Sequence, residues 1–289
     1  MRLLTAILTL LASVYTFAAD SDRPQFTFTA IPDQNEAELV RRFQQVAEYL
    51  GEELGADVKY IPVKSYPAAI TAFRNNQVQL AWFGGLSGVQ ARKAVPGSEA
   101  IAQGYEDQFF KTYLIAHRDA GLEASDEFPK AIAGKTLTFG SKGSTSGRLM
   151  PEFYIREAFN EAPREVFSRV GFSGDHSRTI ALVQSGAYEV GAVNYAVWDK
   201  AVASGEVDTD LVSVIWTTPT YADYQWTVRG DVDEQFGPGF KEKLTRALLN
   251  LEDESILQSF PRSGFVPADN DTYQAIENTA KSIGLLDDF

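Results

Sequence analysis

Short β-branched or aromatic runs alternate with amphipathic runs along most of the chain. Strands are predicted over 26–30, 58–63 and 78–83, with helices over 35–54 and from 66 to about 75. In the first predicted helix, apolar residues recur on one face at Leu39, Phe43, Val46 and Leu50. Because strands and helices alternate, the predicted fold class is α/β.

Two segments of this pattern predict crossings between two lobes. Residues 111–117 form a strand that leads into a polar, Gly-containing stretch, and the chain returns near 215–219 before a strand resumes at 225–228. The expected division is a discontinuous lobe 1 over 19–116 plus 226–289, and a lobe 2 over 117–225. Two α/β lobes joined by two hinge strands enclose a cleft, which is where a ligand is expected to bind.

The first 18 residues are typical of a secretory signal peptide. Arg2 precedes an apolar run that ends with a small-residue cleavage site at Ala18. The run is shorter than the ~20 residues that a membrane span requires, and no later stretch is long and apolar enough to cross a bilayer. We therefore expect export to the periplasm, with no membrane span after cleavage. We also expect the protein to be a monomer.

Composition narrows the possible functions. The chain has no cysteine, which removes disulfides, zinc–thiolate sites and thiol nucleophiles. Its net charge is −13, or −14 once Arg2 leaves with the signal peptide, and this acidity disfavours binding to nucleic acid or to anionic membranes. An anion site in such a protein has to work through local dipoles and hydrogen bonds.

A strand–loop–helix segment in the middle of the chain contains the run Gly143-Ser144-Thr145-Ser146-Gly147. Glycines let the backbone approach a ligand, a helix start offers unpaired N–H groups, and the hydroxyls donate hydrogen bonds without adding charge. The alternative is a plain N-cap, but a cap needs only one Ser or Thr. The loop lacks the Gly-Lys-Ser/Thr ending of a Walker A loop, and Thr145 occupies the centre where a nucleophile elbow needs Ser. The sequence therefore favours anion binding over catalysis.

His176 also follows a glycine and opens a predicted helix, in the run Gly174-Asp175-His176. It is either an N–H donor to an anion or a surface cap residue, and the sequence leaves both open. The chain has two histidines and neither a His-Glu-x-x-His nor an EF-hand pattern. We expect no metal and no cofactor.

Aromatic residues supply candidates for the walls of the cleft. Tyr66 and Tyr221 lie in polar, turn-like surroundings that suit hydroxyls facing a ligand, and Phe83 and Tyr195 are further candidates. Asp223 is the acidic member of this set. A carboxylate beside a bound anion repels it unless one of the two carries a proton, so Asp223 either accepts a hydrogen bond from a protonated ligand or is a solvated turn residue.

Taken together, these motifs make the sequence similar to the PhnD-like family, the phosphonate- and phosphite-type class II periplasmic binding proteins (Venus flytrap fold) of ABC transporters. The resemblance covers nearly all of the mature chain. The run at 30–36 and Trp-Phe-Gly-Gly at 82–85 are most similar to a branch of selenate transporter proteins. The matching stretches are 72–84, the loop 144–147 with Pro151, 174–176, and 214–216 with Pro219.

The resemblance implies roles for individual residues. Ser144 and Thr145 would grip an oxyanion with backbone N–H groups, His176 would donate a further hydrogen bond, and Tyr66 would close the site from the first lobe. The acidic residue that the family carries near the return crossing corresponds to Asp223, although the spacing differs by about one residue.

Two departures from the family pattern concern the ligand. Phe83 stands where aminoalkylphosphonate binders have Tyr, and Asn194-Tyr195-Ala196 lacks the carboxylate that would hold an amine. The resemblance therefore implies a smaller oxyanion such as selenate, phosphite or phosphate, delivered to an ABC permease of the inner membrane. The alternative is a binding protein of the same fold that serves an oxyanion-responsive histidine kinase. An exported hydrolase is disfavoured, because no nucleophile–base arrangement is evident.

Overall fold

The computed structural model describes residues 23–286, so the signal peptide predicted over 1–18 lies outside the described residues. The strands are β1 (Gln25–Ala30), β2 (Asp57–Tyr60), β3 (Leu80–Phe83), β4 (Glu99–Gly104), β5 (Thr112–His117), β6 (Thr136–Phe139), β7 (Arg169–Phe172), β8 (Val190–Asn194), β9 (Val212–Thr217), β10 (Gln225–Val228) and β11 (Phe265–Pro267). The α-helices are α1 (Glu36–Leu54), α2 (Tyr66–Arg74), α3 (Gly85–Ala94), α4 (Met150–Phe159), α5 (Pro163–Val166), α6 (His176–Gln184), α7 (Tyr195–Ala203), α8 (Val232–Phe236), α9 (Phe240–Leu249), α10 (Glu254–Ser259) and α11 (Gln274–Ser282). A π-helical turn, Thr145–Leu149, runs directly into α4.

Two mixed sheets organise the described chain, which confirms the predicted α/β class. The first has the strand order β11-β4-β10-β3-β1-β2 and the second β7-β6-β8-β5-β9. In the first sheet β10 lies antiparallel between β3 and β4, and in the second β5 lies antiparallel between β8 and β9. Both β5 and β10 directly follow a crossing between the sheets. Each sheet therefore contains, between two of its other strands, one antiparallel strand that arrives from the other lobe.

The local sequence explains the elements of lobe 1 that frame the cleft. Asn35 caps α1 with its side-chain oxygen, and the helix ends at Gly55, whose φ of 66° suits glycine. Strand β3 is buried along its full length between β1 and β10, as its continuous apolar run predicts. The predicted apolar face of α1 is confirmed at Leu39, Phe43, Val46 and Leu50.

None of the described helices is long and apolar enough to cross a membrane.

The two crossing segments pair with each other at the junction of the lobes. Phe110 and Tyr221 exchange two backbone hydrogen bonds of 2.9 Å. Two residues further on, the Thr112 N–H donates to the Thr218 hydroxyl, and the Thr218 N–H donates to the Thr112 carbonyl, both at 3.0 Å. This short antiparallel bridge forms the hinge between the two sheets.

The strand pairing moves the predicted lobe boundary by one strand. The sequence pattern assigned β5 to lobe 1, but β5 pairs with β8 and β9 in the second sheet. An apolar run shows that a strand is buried, but not which sheet it joins, because its partners are distant in sequence. We place the division at Phe110 and Tyr221, so that lobe 2 contains β5 to β9.

Candidate functional site

The cradle loop, which we define as residues 143–147, lies between the two sheets at the start of the π-helical turn. Ser144, Thr145 and Ser146 are 2%, 1% and 1% exposed. Ser144 is an N-cap, since its Oγ accepts the Gly147 N–H at 2.9 Å. The alternative that this loop is only an N-cap therefore explains the hydroxyl of Ser144, but not those of Thr145 and Ser146.

The backbone N–H groups of Thr145 and Ser146 are the free donors of this loop. Neither donates a hydrogen bond to any other residue in the described part of the chain. Buried N–H groups without a partner are rare in proteins, and the first turn of a helix concentrates partial positive charge. These two donors therefore indicate a ligand that accepts hydrogen bonds and carries negative charge.

The N-terminus of α3 faces the cradle loop from lobe 1. The Leu86 N–H donates to Thr145 Oγ1 at 3.0 Å, and the Gly85 N–H donates to Asp223 Oδ1 at 2.8 Å. A Cβ on Gly84 would lie 3.1 Å from Asp223 Oδ1 and 3.3 Å from Thr145 Oγ1, so glycine is required for this close approach. Two helix N-termini, one from each lobe, thus meet at one point.

Asp223 is a buried member of this group, with 1% of its surface exposed. Burial raises the pKa of its carboxyl group to about 7, although hydrogen bonds from the Gly85 N–H and the Thr145 hydroxyl lower it. The sequence left open whether Asp223 is solvated, and the structure places it against the cradle loop instead. At neutral pH this carboxyl group can hold or release a proton.

His176 is fully buried at the start of α6, with Nε2 lying 3.4 Å from Ser146 Oγ. Its Nδ1 accepts the Asn194 N–H at 3.3 Å, so the neutral ring carries its proton on Nε2. Burial lowers the His176 pKa to about 4, although the charge of Asp33 raises it. The ring is therefore a neutral N–H donor at pH 7, which is the type of donor that an anion site in an acidic protein requires.

Tyr66 and Tyr221 bring phenol groups to the cradle loop. Tyr66 packs against the cradle loop, since a Cβ on Gly143 would lie 3.3 Å from Tyr66 Cβ. The Tyr221 hydroxyl lies 2.7 Å from Thr112 Oγ1, whose own proton goes to the Ser146 carbonyl at 2.9 Å, so Tyr221 is the donor of that pair. Burial raises the pKa of both tyrosines well above the ordinary value, which keeps them protonated.

Two predicted site residues lie outside this hydrogen-bonded group. Phe83 is fully buried and packs edge-on against Phe73, and without a polar side-chain atom it can contribute only an apolar wall. Tyr195 is half-buried and packs against Phe110 and Tyr113 near the hinge. Within the described chain its hydroxyl makes no hydrogen bond with the cradle loop. The family-like motif placed Tyr195 near the cleft in the sequence, but a motif does not specify which neighbours a side chain packs against.

A further buried chain of hydrogen bonds, which the sequence did not reveal, connects the lobes. The Tyr224 hydroxyl donates to Asp33 Oδ2 at 2.7 Å and accepts from Asn194 Nδ2 at 3.1 Å. The Asp33 carbonyl also accepts the His176 N–H at 2.9 Å. The available signal for Asp33 was its place in the family-like run at 30–36, where it follows β1 and precedes α1.

The arrangement of Ser146 and His176 differs from that of a hydrolase. A catalytic base needs an unprotonated Nε2 facing the serine and a carboxylate on Nδ1. In this site Nε2 carries the proton and Nδ1 faces a backbone N–H. The fold and the site together define a two-lobed ligand-binding protein whose cleft is lined by neutral hydrogen-bond donors.

The chain matches the model of the family described as periplasmic substrate-binding proteins of phosphonate ABC transporters, over residues 28–273. It belongs to this family. Members of this family are substrate-binding components of ABC transporters and not enzymes, and they are periplasmic. The fold is the predicted Venus flytrap fold of class II binding proteins.

Individual relatives agree with this assignment. The probable ABC transporter phosphite binding protein PhnD1 of Prochlorococcus marinus (strain MIT 9301) is 39% identical over 284 residues, covering 96% of each chain. The solved structure of PhnD1 from that organism, in complex with methylphosphonate, has a TM-score of 0.86 and 38% identity over 90% of this chain and 98% of that one. The phosphate-import protein PhnD of Mycolicibacterium smegmatis (strain ATCC 700084 / mc(2)155) is 24% identical over 91% of this chain and 84% of its own.

Proposed function

We propose that this protein captures a small tetrahedral phosphorus oxyanion that shares a proton with Asp223: phosphite, hydrogen phosphate or a short alkylphosphonate. The observation that carries the proposal is the pair of free, buried N–H groups of Thr145 and Ser146 beside a carboxyl group with a pKa of about 7. The names of the relatives, which refer to phosphite, methylphosphonate and phosphate, support the same chemical class.

The shared proton separates phosphorus oxyanions from selenate. Phosphite, phosphate and methylphosphonate each have an ionisation near neutral pH, whereas selenate and sulfate are fully ionised there and offer only acceptors. Two unscreened negative charges in a buried site repel each other strongly. An anion that brings its own proton to Asp223 is therefore favoured. The segment Asn194-Tyr195-Ala196 supplies no carboxylate for an amine, so aminoalkylphosphonates are not expected to bind tightly.

The donors around the cradle loop are numerous enough for tight binding. They comprise the N–H groups of Thr145 and Ser146, His176 Nε2 and the Tyr66 hydroxyl. A hydrogen bond to a charged group contributes roughly 1.5–3 kcal/mol. Four such bonds, less the cost of ordering the ligand and closing the lobes, are consistent with micromolar or tighter affinity.

The transport role follows from the family. We propose that residues 1–18 are a signal peptide, that the mature protein acts as a monomer, and that its closed form delivers the anion to an ABC permease. The alternative of a sensor for a histidine kinase is not favoured, because the matching family is that of transporter components.

Calorimetry on ligand-free protein tests the ligand class. We expect phosphite and methylphosphonate to bind with micromolar or tighter affinity at pH 7. Selenate and sulfate should bind more weakly, by a margin that widens as pH rises above 7, because Asp223 then loses the proton that these anions cannot supply. Asp223→Asn removes the carboxylate and should narrow this gap, mainly by improving selenate binding. Equal affinity for selenate and phosphite in the unmodified protein would contradict the shared proton. Binding of none of these anions below millimolar concentration would contradict an oxyanion site altogether.

A further inference from the structure

A positively charged cavity lies beside the cradle loop on lobe 2. Its volume is about 360 Å³, which is within the range of small-ligand sites. Among the residues that line it, Glu152 is the single acidic one. Four basic side chains line the same cavity: Lys142, Arg148, Arg156 and Arg164.

The positive charge is not neutralised inside the cavity. Glu152 is 2% exposed and accepts hydrogen bonds from both Arg148 and Arg156, so one carboxylate serves two guanidinium groups. Lys142 and Arg164 are exposed and form no ion pair with any described residue. Four cations and one carboxylate leave an excess of three positive charges, in a protein whose net charge is −13.

Two of these cations, Lys142 and Arg148, lie over an aromatic ring. Phe139 and Phe172 stack with their centroids 5.7 Å apart. The Arg148 guanidinium carbon lies 4.9 Å from the Phe172 centroid, and Lys142 Nζ lies 5.5 Å from it. Cations over aromatic faces are attracted by the ring. Because these groups are already ordered, a ligand that binds them loses less free energy to side-chain ordering.

The cavity adjoins the mouth of the cleft. Ser141 and Ser173 line a crevice between the lobes, and their chain neighbours Lys142 and Phe172 line the charged cavity. The two sites therefore share the loop after β6 and the loop after β7. They use opposite chemistry, because the cradle has neutral donors in a sealed position and the cavity has formal charges near solvent.

We propose that this cavity is a second anion site, which takes a multivalent oxyanion of about the size of a diphosphate group. A singly charged ion would gain little there against the negative field of the protein, whereas several charges on one ligand can meet several cations at once. Attraction between exposed charges is screened by salt, with a Debye length of about 10 Å at 0.1 M ionic strength. Binding at this site should therefore weaken steeply as salt is added.

Titration of the full chain with pyrophosphate, at low salt and followed by calorimetry, tests the site. Lys142→Gln with Arg164→Gln removes two unpaired, exposed charges without breaking the Glu152 pairs, and should weaken pyrophosphate binding by about tenfold. Lys130→Gln is the matched control, because Lys130 is an exposed lysine of lobe 2 that does not line the cavity, and it should leave the affinity within about twofold. Ser144→Ala with Thr145→Val, which alters the cradle, should also leave pyrophosphate binding unchanged.

Three results would overturn the proposal. The first is no pyrophosphate binding at millimolar concentration. The second is binding that the cradle variant abolishes and the Lys142/Arg164 variant retains, which would place pyrophosphate in the cleft. The third is an equal loss in Lys130→Gln, which would mean that pyrophosphate responds to general surface charge. The test does not depend on which anion occupies the cradle, so it can fail while the proposed function stands.

Discussion

The hinge and the cradle loop both bury polar groups, and they differ in how completely those groups are satisfied. The ion pair of Asp107 and Arg262, which we call the hinge pair, lies in lobe 1 beside the hinge, with Asp107 three residues before Phe110. Arg262 Nε and Nη2 donate to the two carboxylate oxygens of Asp107 at 2.8 and 2.7 Å, and Nη1 donates to the Phe260 carbonyl at 2.7 Å. The Asp107 carbonyl also accepts the Asp223 N–H at 3.0 Å. Burial alone would lower the Arg262 pKa, but the Asp107 carboxylate holds it above its ordinary value.

The cradle is the opposite case. The N–H groups of Thr145 and Ser146 have no protein acceptor in the described chain, and the titratable groups beside them are shifted in opposite directions. Burial raises the pKa of Asp223 to about 7 and lowers that of His176 to about 4. Each shift makes the neutral form accessible near neutral pH. Burial also raises the pKa of Asp107, but that carboxyl group is paired directly with the Arg262 guanidinium, which lowers its pKa, whereas Asp223 has no cation beside it among the described residues.

The difference separates two reasons for burying polar groups. A fully paired cluster fixes geometry, and its removal should be felt in the stability of the fold. A cluster with free donors and uncharged titratable groups is prepared for a ligand, and its removal should be felt in binding. The predictions below test this contrast.

The largest effect is expected at the hinge. Asp107→Ala leaves the Arg262 charge buried without a partner, which should lower the free energy of unfolding by about 3–5 kcal/mol. Urea denaturation followed by circular dichroism measures the loss. Asp126→Ala, at an exposed acid of lobe 2, is the control and should change stability by less than about 0.5 kcal/mol. If Asp107→Ala lowers the free energy of unfolding by less than about 1 kcal/mol, the hinge pair does not stabilise the fold.

The dependence of stability on pH provides the second test. Because the folded pKa of Asp223 lies above the usual 3.8, its stabilising contribution is lost as pH rises from about 4 through 7. Because the folded pKa of His176 lies below 6.5, its contribution is present above 6.5 and is lost as pH falls through 4. The two slopes therefore oppose each other between about pH 4 and 6.5. The shifts correspond to roughly 4 kcal/mol for Asp223 and roughly 3 kcal/mol for His176.

Single variants should separate these opposing slopes. Relative to the unmodified protein, Asp223→Asn should become more stable as pH rises from about 4 to 7, and His176→Gln should become less stable over the same window. Urea denaturation at half-unit pH steps gives both difference profiles. If the two profiles have the same sign, or are both flat, the burial of one of these groups in the folded protein is wrongly assigned.

The smallest effect on the fold, and a clear effect on binding, is expected in the cradle. Ser144→Ala with Thr145→Val should weaken binding of phosphite or methylphosphonate by about tenfold to a hundredfold, because Ser144 Oγ and Thr145 Oγ1 hold the loop and its two free N–H groups in position through Gly147 and Leu86. The cost to stability should be about 2–3 kcal/mol, from the lost N-cap and from the Leu86 N–H, which loses its acceptor Thr145 Oγ1. Asp253→Ala removes the cap of α10, away from the cleft, and is the matched control. Equal affinities in both variants would place the anion elsewhere.

Sequence reasoning predicted the parts of this comparison unevenly. The sequence predicted an anion site at the cradle loop from three hydroxyl residues between two glycines. It also named Tyr66, Tyr221 and His176, whose side chains lie near that loop in the structure. The hinge pair was not predicted, because Asp107 and Arg262 are 155 residues apart and neither belongs to a motif. Asp33 was noticed only as part of a family-like run, without a role.

The local pattern of apolar and polar residues determined which segments became helices and strands, since each element buries the face that its own period defines. The same pattern determined where a helix start would offer free N–H donors. Only the tertiary structure decided that β5 joins the second sheet, that Asp223 is buried against Thr145, and that His176 carries its proton on Nε2. Sheet membership, burial and tautomer all depend on partners far away in the chain, and local sequence does not specify those partners.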